Sequence, residues 1–281
     1  MLRTRPQVRV LGPADLAAVR RLLDRDPVRH VFVDHRVRLT RLDPRRLGGE
    51  MWGYDEGGEL VSMCHVAANL VPVQSTAGAR RAFASRALSK GRHCSAILGP
   101  DDEVADLWRR VEPRWGPARS IRLRQPFLAL DKPPAVEPST QVRRVRADEL
   151  DVLYPACVAM FTEEVGISPE LGDGVKLYRA RVARLIARGL AFAHIERGEV
   201  VFKAEVGAAT PVATQIQGVW TNPRYRGQGL AASGMAAVCA TAMREMAPVV
   251  SLYVNEHNVA ARRAYARVGF FELDRFATIL F

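Results

Sequence analysis

A glycine-rich turn, Arg224-Tyr225-Arg226-Gly227-Gln228-Gly229-Leu230, follows an apolar, β-prone run at 214–220 and opens a helical run at 230–246. Glycine tolerates positive φ angles and lets a ligand come close to the backbone. Such a turn directs several backbone N–H groups at one point, and the positive end of the helix dipole adds to them. The sequence therefore predicts a site for a phosphate or another anion at the start of this helix.

The residues after the turn make this prediction more specific. A second β-prone run at 249–254 leads to segment 258–270, which reads Asn-Val-Ala-Ala-Arg-Arg-Ala-Tyr-Ala-Arg-Val-Gly-Phe. The turn resembles the pyrophosphate-loop motif (Q/R)-x-x-G-x-(G/A) of the GNAT acyltransferase superfamily. Segment 258–270 resembles the N-x-x-A-x-x-x-Y-x-x-x-G-F block of the same superfamily. The resemblance is carried by residues 212–281 and implies an α/β fold, of the α+β kind with a mixed sheet.

A dinucleotide-binding fold is the nearest alternative for this turn. Residues 227–232 fit a loose G-x-G-x-x-A, and Glu256 follows the next strand, where an acid could bind a ribose. In that fold the first glycine directly follows the strand, whereas residues 221–226 intervene here. The residues that remain after the helix are also too few for the further parallel strands of that fold.

The composition is that of a folded globular protein. The chain has 281 residues, of which 48% are hydrophobic and 25% charged, enough for one large domain or two ordinary ones. Its formal net charge is +11, and a basic protein can bind nucleic acid. The arginines are scattered, without a polybasic block or an aromatic platform, so attraction of an anionic cofactor explains the charge as well. Nucleic acid is therefore not the expected partner.

The sequence favours a protein of the reducing cytoplasm. Its four cysteines are isolated and lack C-x-x-C spacing, so neither a disulfide framework nor a zinc ribbon is expected. The first ten residues lack the apolar stretch of a signal peptide. The longest apolar run, 230–243, is too short and too rich in alanine to span a membrane. We expect no metal and no membrane contact.

A connector at 131–140 contains three prolines and divides the chain into two halves of about equal length. The halves resemble each other at three places that occur in the same order: 8–16 and 142–150, 56–66 and 196–206, and 104–111 and 261–268. The first pair predicts a strand and a helix start, the second a hairpin with a tight glycine turn, and the third a helix. These repeats predict a tandem duplication, and the alternative is an unrelated α/β domain in the first half.

The glycine-rich turn is not duplicated. The first half has Ser75-Thr76-Ala77-Gly78-Ala79-Arg80-Arg81 in its place, Trp108 where the second half has Tyr265, and His65 where it has Glu205. The first half therefore resembles a degenerate copy that has lost cofactor binding.

We thus expect two tandem GNAT-like lobes, each a mixed, mostly antiparallel sheet flanked by helices. The predicted domains are a degenerate N-terminal lobe at 1–130, a linker at 131–140 and a catalytic lobe at 141–281. One acyl-CoA would bind per chain.

The resemblance to the GNAT superfamily also implies where the donor substrate binds. In that family the pantetheine arm of acetyl-CoA, or of another acyl-CoA, adds to the strand before the loop, and the pyrophosphate binds the loop. A backbone N–H near Val219 would polarise the thioester carbonyl. The implied cofactor-binding residues are Val219, Trp220, Thr221, Arg226, Gly227, Gln228, Gly229, Leu230, Ala231, Asn255 and Asn258. Asn258 is in addition a good N-cap for the helix that follows it.

Tyr265 stands at the position of the family's general acid, which would protonate the departing CoA thiolate. A purely structural role in the core is the alternative, because the residue lies on an amphipathic helix just before Gly269 and Phe270.

The general base has two candidates. A lysine-type amine has a pKa of about 10.4, so it must lose a proton before it can attack. Alternation puts Lys203 and Glu205 on one face of a strand, from which Glu205 could remove a proton through water, but a solvent-side Lys–Glu pair explains the pattern equally well. Glu163 and Glu164 lie where the family places its substrate-binding helices. Either residue could bind a cationic acceptor or serve as base, with Glu164 as the second candidate base beside Glu205, and an ordinary exposed charge is the alternative for each.

These features predict an acetyltransferase that moves an acetyl group from acetyl-CoA directly to an amine of a small molecule or a peptide. A tandem acyltransferase of the mycothiol synthase kind is one alternative. A non-catalytic acyl-CoA-binding regulatory module is another, and it would keep residues 226–231 without needing Tyr265 or Glu205.

Overall fold

The computed structural model describes residues 7–281, apart from Asp173 and the side chain of Gln7. The described chain divides into two units. Unit 1 contains the described residues up to Leu128 together with Tyr253–His257 and Glu272–Phe281, and unit 2 contains Ala129–Leu252 and Asn258–Phe271. The end of the chain thus returns to unit 1, which a division of the sequence at the linker does not anticipate.

Unit 1 is built on a mixed sheet. Its strands are β1 (Gln7–Val10), β2 (Glu50–Glu56), β3 (Glu59–Val66), β4 (Asn69–Val73), β5 (Ala96–Pro100), β6 (Ser120–Leu130) and the last strand, β12 (Phe271–Leu280). Their order is β1-β2-β3-β4-β5-β12-β6. β4 and β5 are parallel, whereas β1–β2, β2–β3, β3–β4 and β5–β12 are antiparallel. The helices are α1 (Leu16–Leu23), α2 (Val31–Thr40), α3 (Pro44–Leu47), α4 (Ala77–Lys90) and α5 (Asp101–Trp115).

Helices cover both faces of the unit 1 sheet. Successive side chains of a strand point to opposite faces, so neighbouring residues join different cores. Met51 and Met63 belong to a core that they share with buried residues of α1, α2 and α3. Their neighbours Trp52 and Cys64 belong to a second core with α4 and α5. The sheet therefore lies between two layers of helix.

Unit 2 has the same kind of sheet. Its strands are β7 (Arg143–Arg144), β8 (Ala191–Glu196), β9 (Glu199–Ala209), β10 (Ala213–Thr221) and β11 (Val249–Tyr253), in the order β11-β10-β9-β8-β7. β10 and β11 are parallel and the other pairs antiparallel. The helices are α6 (Leu150–Val165), α7 (Gly174–Ala187), α8 (Leu230–Glu245) and α9 (Val259–Val268).

The two faces of β9 contact different helices. Phe202 points toward α8, where a Cβ added to Gly234 would lie 2.7 Å from the phenyl ring. The absence of a side chain at Gly234 therefore lets α8 approach the sheet closely. The opposite face is covered by a core of buried residues from α6 and α7, to which Trp220 of β10 belongs.

The predicted repeats occupy equivalent places in the two units. Each unit starts with a strand and a short 3₁₀ turn, Pro13–Asp15 or Ala147–Glu149, before its first long helix. In unit 1 the carboxylate of Asp15 accepts a hydrogen bond from the backbone N–H of Gly12 at 2.9 Å. In unit 2, Glu149 accepts one from the N–H of Arg146, also at 2.9 Å. The same turn thus precedes α1 and α6.

The predicted hairpins are confirmed in both units. Gly57 and Gly58, between β2 and β3, have φ angles of +63° and +88°. Arg197 and Gly198, between β8 and β9, have φ angles of +50° and +78°. Two consecutive positive φ angles are typical of the two-residue turns that join twisted antiparallel strands.

Within the part of the chain that the structure describes, no helix is both long enough and apolar enough to cross a membrane. Cys64, Cys94, Cys157 and Cys239 are buried free thiols.

Candidate active site

The glycine-rich loop of unit 2 presents an open set of backbone donors. It connects the end of β10 at Thr221 to the start of α8 at Leu230, and both Gly227 and Gly229 have a φ of +80°. A Cβ added to either glycine would meet no atom within 4 Å. The N–H groups of residues 227–231 donate to no other described residue. Because the first N–H groups of a helix have no partner within it, this loop is suited to bind an anion.

The side chain of Arg226 ties the loop to the end of α6. Its Nε donates to the carbonyl oxygen of Thr221 at 3.0 Å, and its guanidinium donates to Glu163 at 2.7 Å. The other carboxylate oxygen of Glu163 accepts from the indole Nε1 of Trp220 at 3.0 Å. Glu163 therefore bridges the end of β10 and the loop, a role that the sequence did not predict.

One edge of β10 is open where the strand approaches the loop. β10 pairs with β11 only from Ala213 to Gln215 among the described residues. On its other edge β10 remains paired with β9 as far as Thr221. The second half of the strand therefore offers unpaired backbone groups along residues 216–221, and such an edge can accept an extended chain as an added strand.

A bulge interrupts β10 in this open half. Gln217 stands opposite Glu205 and Trp220 opposite Lys203, so that Gly218 and Val219 together oppose a single residue of β9. Gly218 has a φ of +60°, a conformation that favours glycine. A bulge of this kind changes the direction in which backbone groups point.

Beneath the bulge lies a buried cluster of charged groups. The side chains of Lys203 and Glu205 are 1% and 3% exposed, with Nζ and Oε2 3.9 Å apart. Glu205 also accepts from Arg181 of α7 at 2.5 Å and from Gln217 at 2.9 Å. The predicted alternation of this strand is confirmed, but the alternative of a solvent-side Lys–Glu pair is wrong, because α6 and α7 cover this face.

The environment of Glu205 makes it a weak base. Burial by itself would raise the pKa of this carboxyl group, but Lys203, Arg181 and the hydrogen bond from Gln217 outweigh it, so the pKa lies below its ordinary value. Glu205 is therefore held as a paired carboxylate. Lys203 also acts on the Cys157 thiol of α6, where it opposes the rise in pKa that burial causes.

Tyr265 is buried on α9, where its ring packs edge-to-face on Phe270 with centroids 5.9 Å apart. Burial raises the pKa of Tyr265 well above its ordinary value, and the negative charge of Glu164 and the thiol of Cys239 add to this effect. Its hydroxyl group has no hydrogen-bond partner among the described residues. Glu164, at the exposed end of α6, is thus close enough to act on Tyr265 electrostatically.

The two asparagines lie in different units. Asn258 caps α9, as predicted, because its Oδ1 accepts from the N–H of Ala261 at 3.1 Å. Asn255 belongs to unit 1, where its Oδ1 accepts from Gln125 at 2.8 Å. Contact of either side chain with a cofactor stays a prediction.

Unit 1 has a different structure at the place that corresponds to the loop. Only residues 74–76 connect β4 to α4. The carboxylate of Glu103, on α5, accepts from the backbone N–H of Ser75 at 2.9 Å and from its hydroxyl group. The N–H of Thr76 donates to Ser62 at 3.1 Å, and that of Ala79 donates to the Thr76 side chain at 3.2 Å. The N–H donors of Ser75, Thr76 and Ala79 are therefore satisfied from within the protein.

Sequence reasoning missed Arg181 and the role of Glu103. Arg181 meets Glu205 across 24 residues of sequence, and Glu103 meets Ser75 across 28. Neither residue stands in a motif, so a single sequence carries no signal for these contacts.

Two family models match parts of the chain. Residues 187–270 match the family model described as the acetyltransferase (GNAT) family, and residues 49–153 match one described as a domain of unknown function, DUF4081. A comparison with curated proteins finds no match.

Solved structures extend the likeness over the whole chain. A GCN5-related N-acetyltransferase from Sphaerobacter thermophilus superimposes with a TM-score of 0.63 at 18% identity, covering 99% of this chain and 96% of its own. A GNAT-family acetyltransferase from Colwellia psychrerythraea gives 0.59 at 14% identity, with coverages of 98% and 99%. A tandem GNAT protein from the clavulanic acid biosynthesis pathway gives 0.57 at 16%, covering 98% of each chain.

At these identities the solved structures show the fold alone. The resemblance of the C-terminal half to the GNAT superfamily is confirmed by the family match, and the prediction of two tandem GNAT-like lobes by the fold. The chain thus has the fold and the family motif of the GNAT acetyltransferases.

Proposed function

We propose that unit 2 transfers an acetyl group from acetyl-CoA directly to an amine, with one donor bound per chain. The observation that carries this proposal is the open edge of β10, at residues 216–221, which runs directly into the unpartnered N–H groups of residues 227–231. The pantetheine arm, which carries amide groups, fits the open edge as an added strand, and a pyrophosphate fits the loop. Acyl-CoA carries both groups in one molecule.

The bulge in β10 supplies the electrophilic part of the site. The thioester carbonyl would accept a hydrogen bond from the N–H of Val219, which stabilises the negative charge that develops on oxygen when the amine attacks. Val219, Trp220 and Thr221 would line the pantetheine arm, and residues 226–231 would bind the pyrophosphate. The bound pyrophosphate would compete with the carboxylate of Glu163 for the guanidinium group of Arg226.

Tyr265 would act as the general acid. The amine nitrogen attacks the carbonyl carbon, the C–S bond breaks, and the departing thiolate takes the phenol proton. The phenol is protonated at neutral pH and so can donate to the thiolate as it forms, although its raised pKa makes it a weaker acid than an exposed tyrosine. A buried phenol that donates to no other described residue is free to make this bond.

We assign proton removal from the acceptor to Glu164 rather than to Glu205. Glu205 already accepts from Arg181 and Gln217, and its lowered pKa makes it a poor base. Glu164 is exposed and lies near Tyr265, so it can pass a proton to solvent. Glu205 would instead hold the buried cluster under the bulge, and Asn258 would hold the start of α9.

The test begins with acetyl-CoA binding measured by isothermal titration calorimetry. CoA release is then followed with a panel of acceptors: aliphatic amines, amino acids, aminoglycosides and peptides. We expect one donor bound per chain and turnover with at least one amine. Glu164→Gln should lower kcat by about 100-fold, the lower limit for loss of a general base, while Glu256→Gln, at another acidic residue, should leave kcat unchanged. Absence of acetyl-CoA binding would overturn the proposal.

One observation favours a second candidate, a non-catalytic acyl-CoA-binding module. The buried carboxylate nearest to the bulge is fully paired, as expected of a binding site that performs no proton transfer. Tight binding of acetyl-CoA without turnover of any acceptor would select this candidate. A Tyr265→Phe variant with unchanged acetyl transfer would remove the general-acid assignment alone.

A further inference from the structure

The ammonium group of Lys203 lies directly beneath the β10 bulge. Its side chain is 1% exposed, and Nζ donates a hydrogen bond to the carbonyl oxygen of Gly218 at 2.8 Å. The nearest carboxylate oxygen, on Glu205, is 3.9 Å away. The shortest polar contact described for this buried cation is therefore to the backbone of the bulge.

The bulge and the lysine fit closely. A Cβ added to Gly218 would lie 3.1 Å from Lys203 Nζ and 3.0 Å from the Glu205 carboxyl carbon. The φ of +60° at Gly218 also disfavours any other residue. Glycine at this position thus permits both the turn of the backbone and the approach of the cation.

Stability alone does not explain a lysine here. Removing two or more charges from water costs several kcal/mol per ion, and well-packed apolar residues of similar volume are often equally stable or more so. Apolar residues in place of the whole buried cluster would therefore be compatible with the fold. The charge is therefore better explained by its contact with the bulge.

The peptide bond between Gly218 and Val219 connects this contact to the chemistry. The carbonyl of Gly218 and the N–H of Val219 belong to one planar peptide group, and in a trans peptide they point in opposite directions. No cis peptide bond occurs in the described chain. Anchoring the carbonyl to Lys203 therefore fixes the Val219 N–H on the side away from the ammonium group.

We propose that Lys203 is a positioning residue, which holds the Gly218 carbonyl and thereby aims the Val219 N–H at the thioester carbonyl of the donor. This inference rests on the proposed function, in which Val219 provides that hydrogen bond. Arg181 and Gln217 hold Glu205, and Glu205 balances the charge of Lys203, so the cluster acts as one support beneath the bulge.

The test uses infrared spectroscopy of acetyl-CoA labelled with ¹³C at the thioester carbonyl, which requires no acceptor. A hydrogen bond from Val219 lowers the carbonyl stretching frequency of the bound donor relative to the free donor. We expect this shift in the wild type and in the control Lys132→Met, which changes an exposed lysine. We expect Lys203→Met to lose most of the shift while its Kd for CoA, which is bound by the loop, changes less than about threefold.

A second variant perturbs the same contact from the other side. Gly218→Ala forces a side chain against the ammonium group and should lose the shift with Lys203 still present. If Lys203→Met does not fold, Lys203→Gln replaces it, and a partly retained shift is expected because glutamine keeps a donor but has a shorter reach. For acceptors that turn over, kcat should fall by about 100-fold with little change in KM, as for a misplacement of reacting groups by about 1 Å.

The outcomes separate this inference from the proposed function. If the wild type does not bind acetyl-CoA, the proposed function fails. If the wild type and Lys203→Met bind it with the same carbonyl shift, the positioning role of Lys203 is overturned while the proposed function stands. If only the wild type and Lys132→Met show the shift, the positioning role is supported.

Discussion

The two units differ in the connection between a central strand and the helix that follows it, β10 to α8 in unit 2 and β4 to α4 in unit 1. In unit 2 the connection spans residues 222–229 and leaves the donors of residues 227–231 unused. In unit 1 the connection spans residues 74–76, and the carboxylate of Glu103 accepts a hydrogen bond from the backbone N–H of Ser75. The topology around both connections is the same, with a parallel strand pair and a helix between its members.

The fold therefore does not by itself make an anion site. A site for an external anion needs donors that the protein leaves unsatisfied and a backbone that a ligand can reach. Unit 1 fills the same region with its own carboxylate and side-chain caps. This difference is consistent with the proposal that unit 2, and not unit 1, binds the donor.

The same contrast appears on the neighbouring strands. His65 and Glu205 occupy equivalent places in their strands. His65 lies six residues after Glu59, where β3 begins, and Glu205 lies six residues after Glu199, where β9 begins. Glu205 has several charged and polar partners. Neither ring nitrogen of His65 has a hydrogen-bond partner among the described residues. The charged cluster beneath the β10 bulge thus has an uncharged counterpart in unit 1.

The largest expected effect comes from placing a charge in the open loop. Gly229→Asp should weaken acetyl-CoA binding by at least about 100-fold, because like charges brought together cost several kcal/mol. Calorimetry measures this effect. The matched control is Gly198→Asp, at a hairpin glycine of the same unit with a φ of +78° against +80° and equally open space. Equal weakening by both variants would show that backbone strain, rather than the anion site, explains the loss.

Loss of the Tyr265 hydroxyl group tests the chemistry of unit 2 separately from binding. Tyr265→Phe should lower kcat by about 100-fold, at the lower end of the range for general acid–base catalysis, and leave the Kd for acetyl-CoA unchanged. Tyr54→Phe, at a buried tyrosine of unit 1, is the control and should leave kcat unchanged. Unchanged turnover in Tyr265→Phe would restrict this residue to a role in the core.

Removal of the internal carboxylate tests whether unit 1 is closed by Glu103. Glu103→Ala should lower the free energy of unfolding by about 1–3 kcal/mol, because it leaves the Ser75 donors buried without a partner. Glu112→Ala, at an exposed position of the same helix, is the control in urea denaturation. Acetyl-CoA should still bind once per chain, since the short connection lacks the glycine-rich loop. Binding of a second acetyl-CoA per chain would show that unit 1 also binds the donor, contrary to the proposed difference between the units.

A pH dependence of stability is also expected to originate in unit 1. Burial, with a smaller contribution from Arg36, lowers the pKa of His65 to about 4. The unfolded chain therefore binds a proton more readily, and acidification through the unfolded pKa of about 6.5 favours unfolding. Stability from this group is complete above that pH and is lost as the pH falls toward 4, by about 2 kcal/mol between pH 7.5 and pH 5.

Urea denaturation of the wild type and of His65→Leu at pH 7.5 and pH 5 measures this difference. The variant should lose less stability on acidification than the wild type by about 2 kcal/mol. Equal losses would show that His65 does not contribute to the pH dependence.

Several features could be predicted from the sequence because they depend on neighbouring residues. The hairpin turns follow from glycines at positions that need positive φ, and the caps of the 3₁₀ turns from an acid three residues later. The loop and the block at 258–270 are also local, and they led to the correct superfamily. The alternation of β9 put Lys203 and Glu205 on one face, but nothing local told whether that face meets solvent or helices.

Local sequence patterns were therefore sufficient to predict the resemblance of the C-terminal half to the GNAT superfamily, the two similar lobes and the loop that distinguishes them. The contacts of Glu103 with Ser75, of Arg181 with Glu205 and of Lys203 with Gly218 became visible only in the folded structure. The folded structure also shows that residues 272–281 complete unit 1. The physical reason is that turns and caps are set by the backbone angles and side chains of adjacent residues. A buried charge, by contrast, takes its partner from whichever element packs against it.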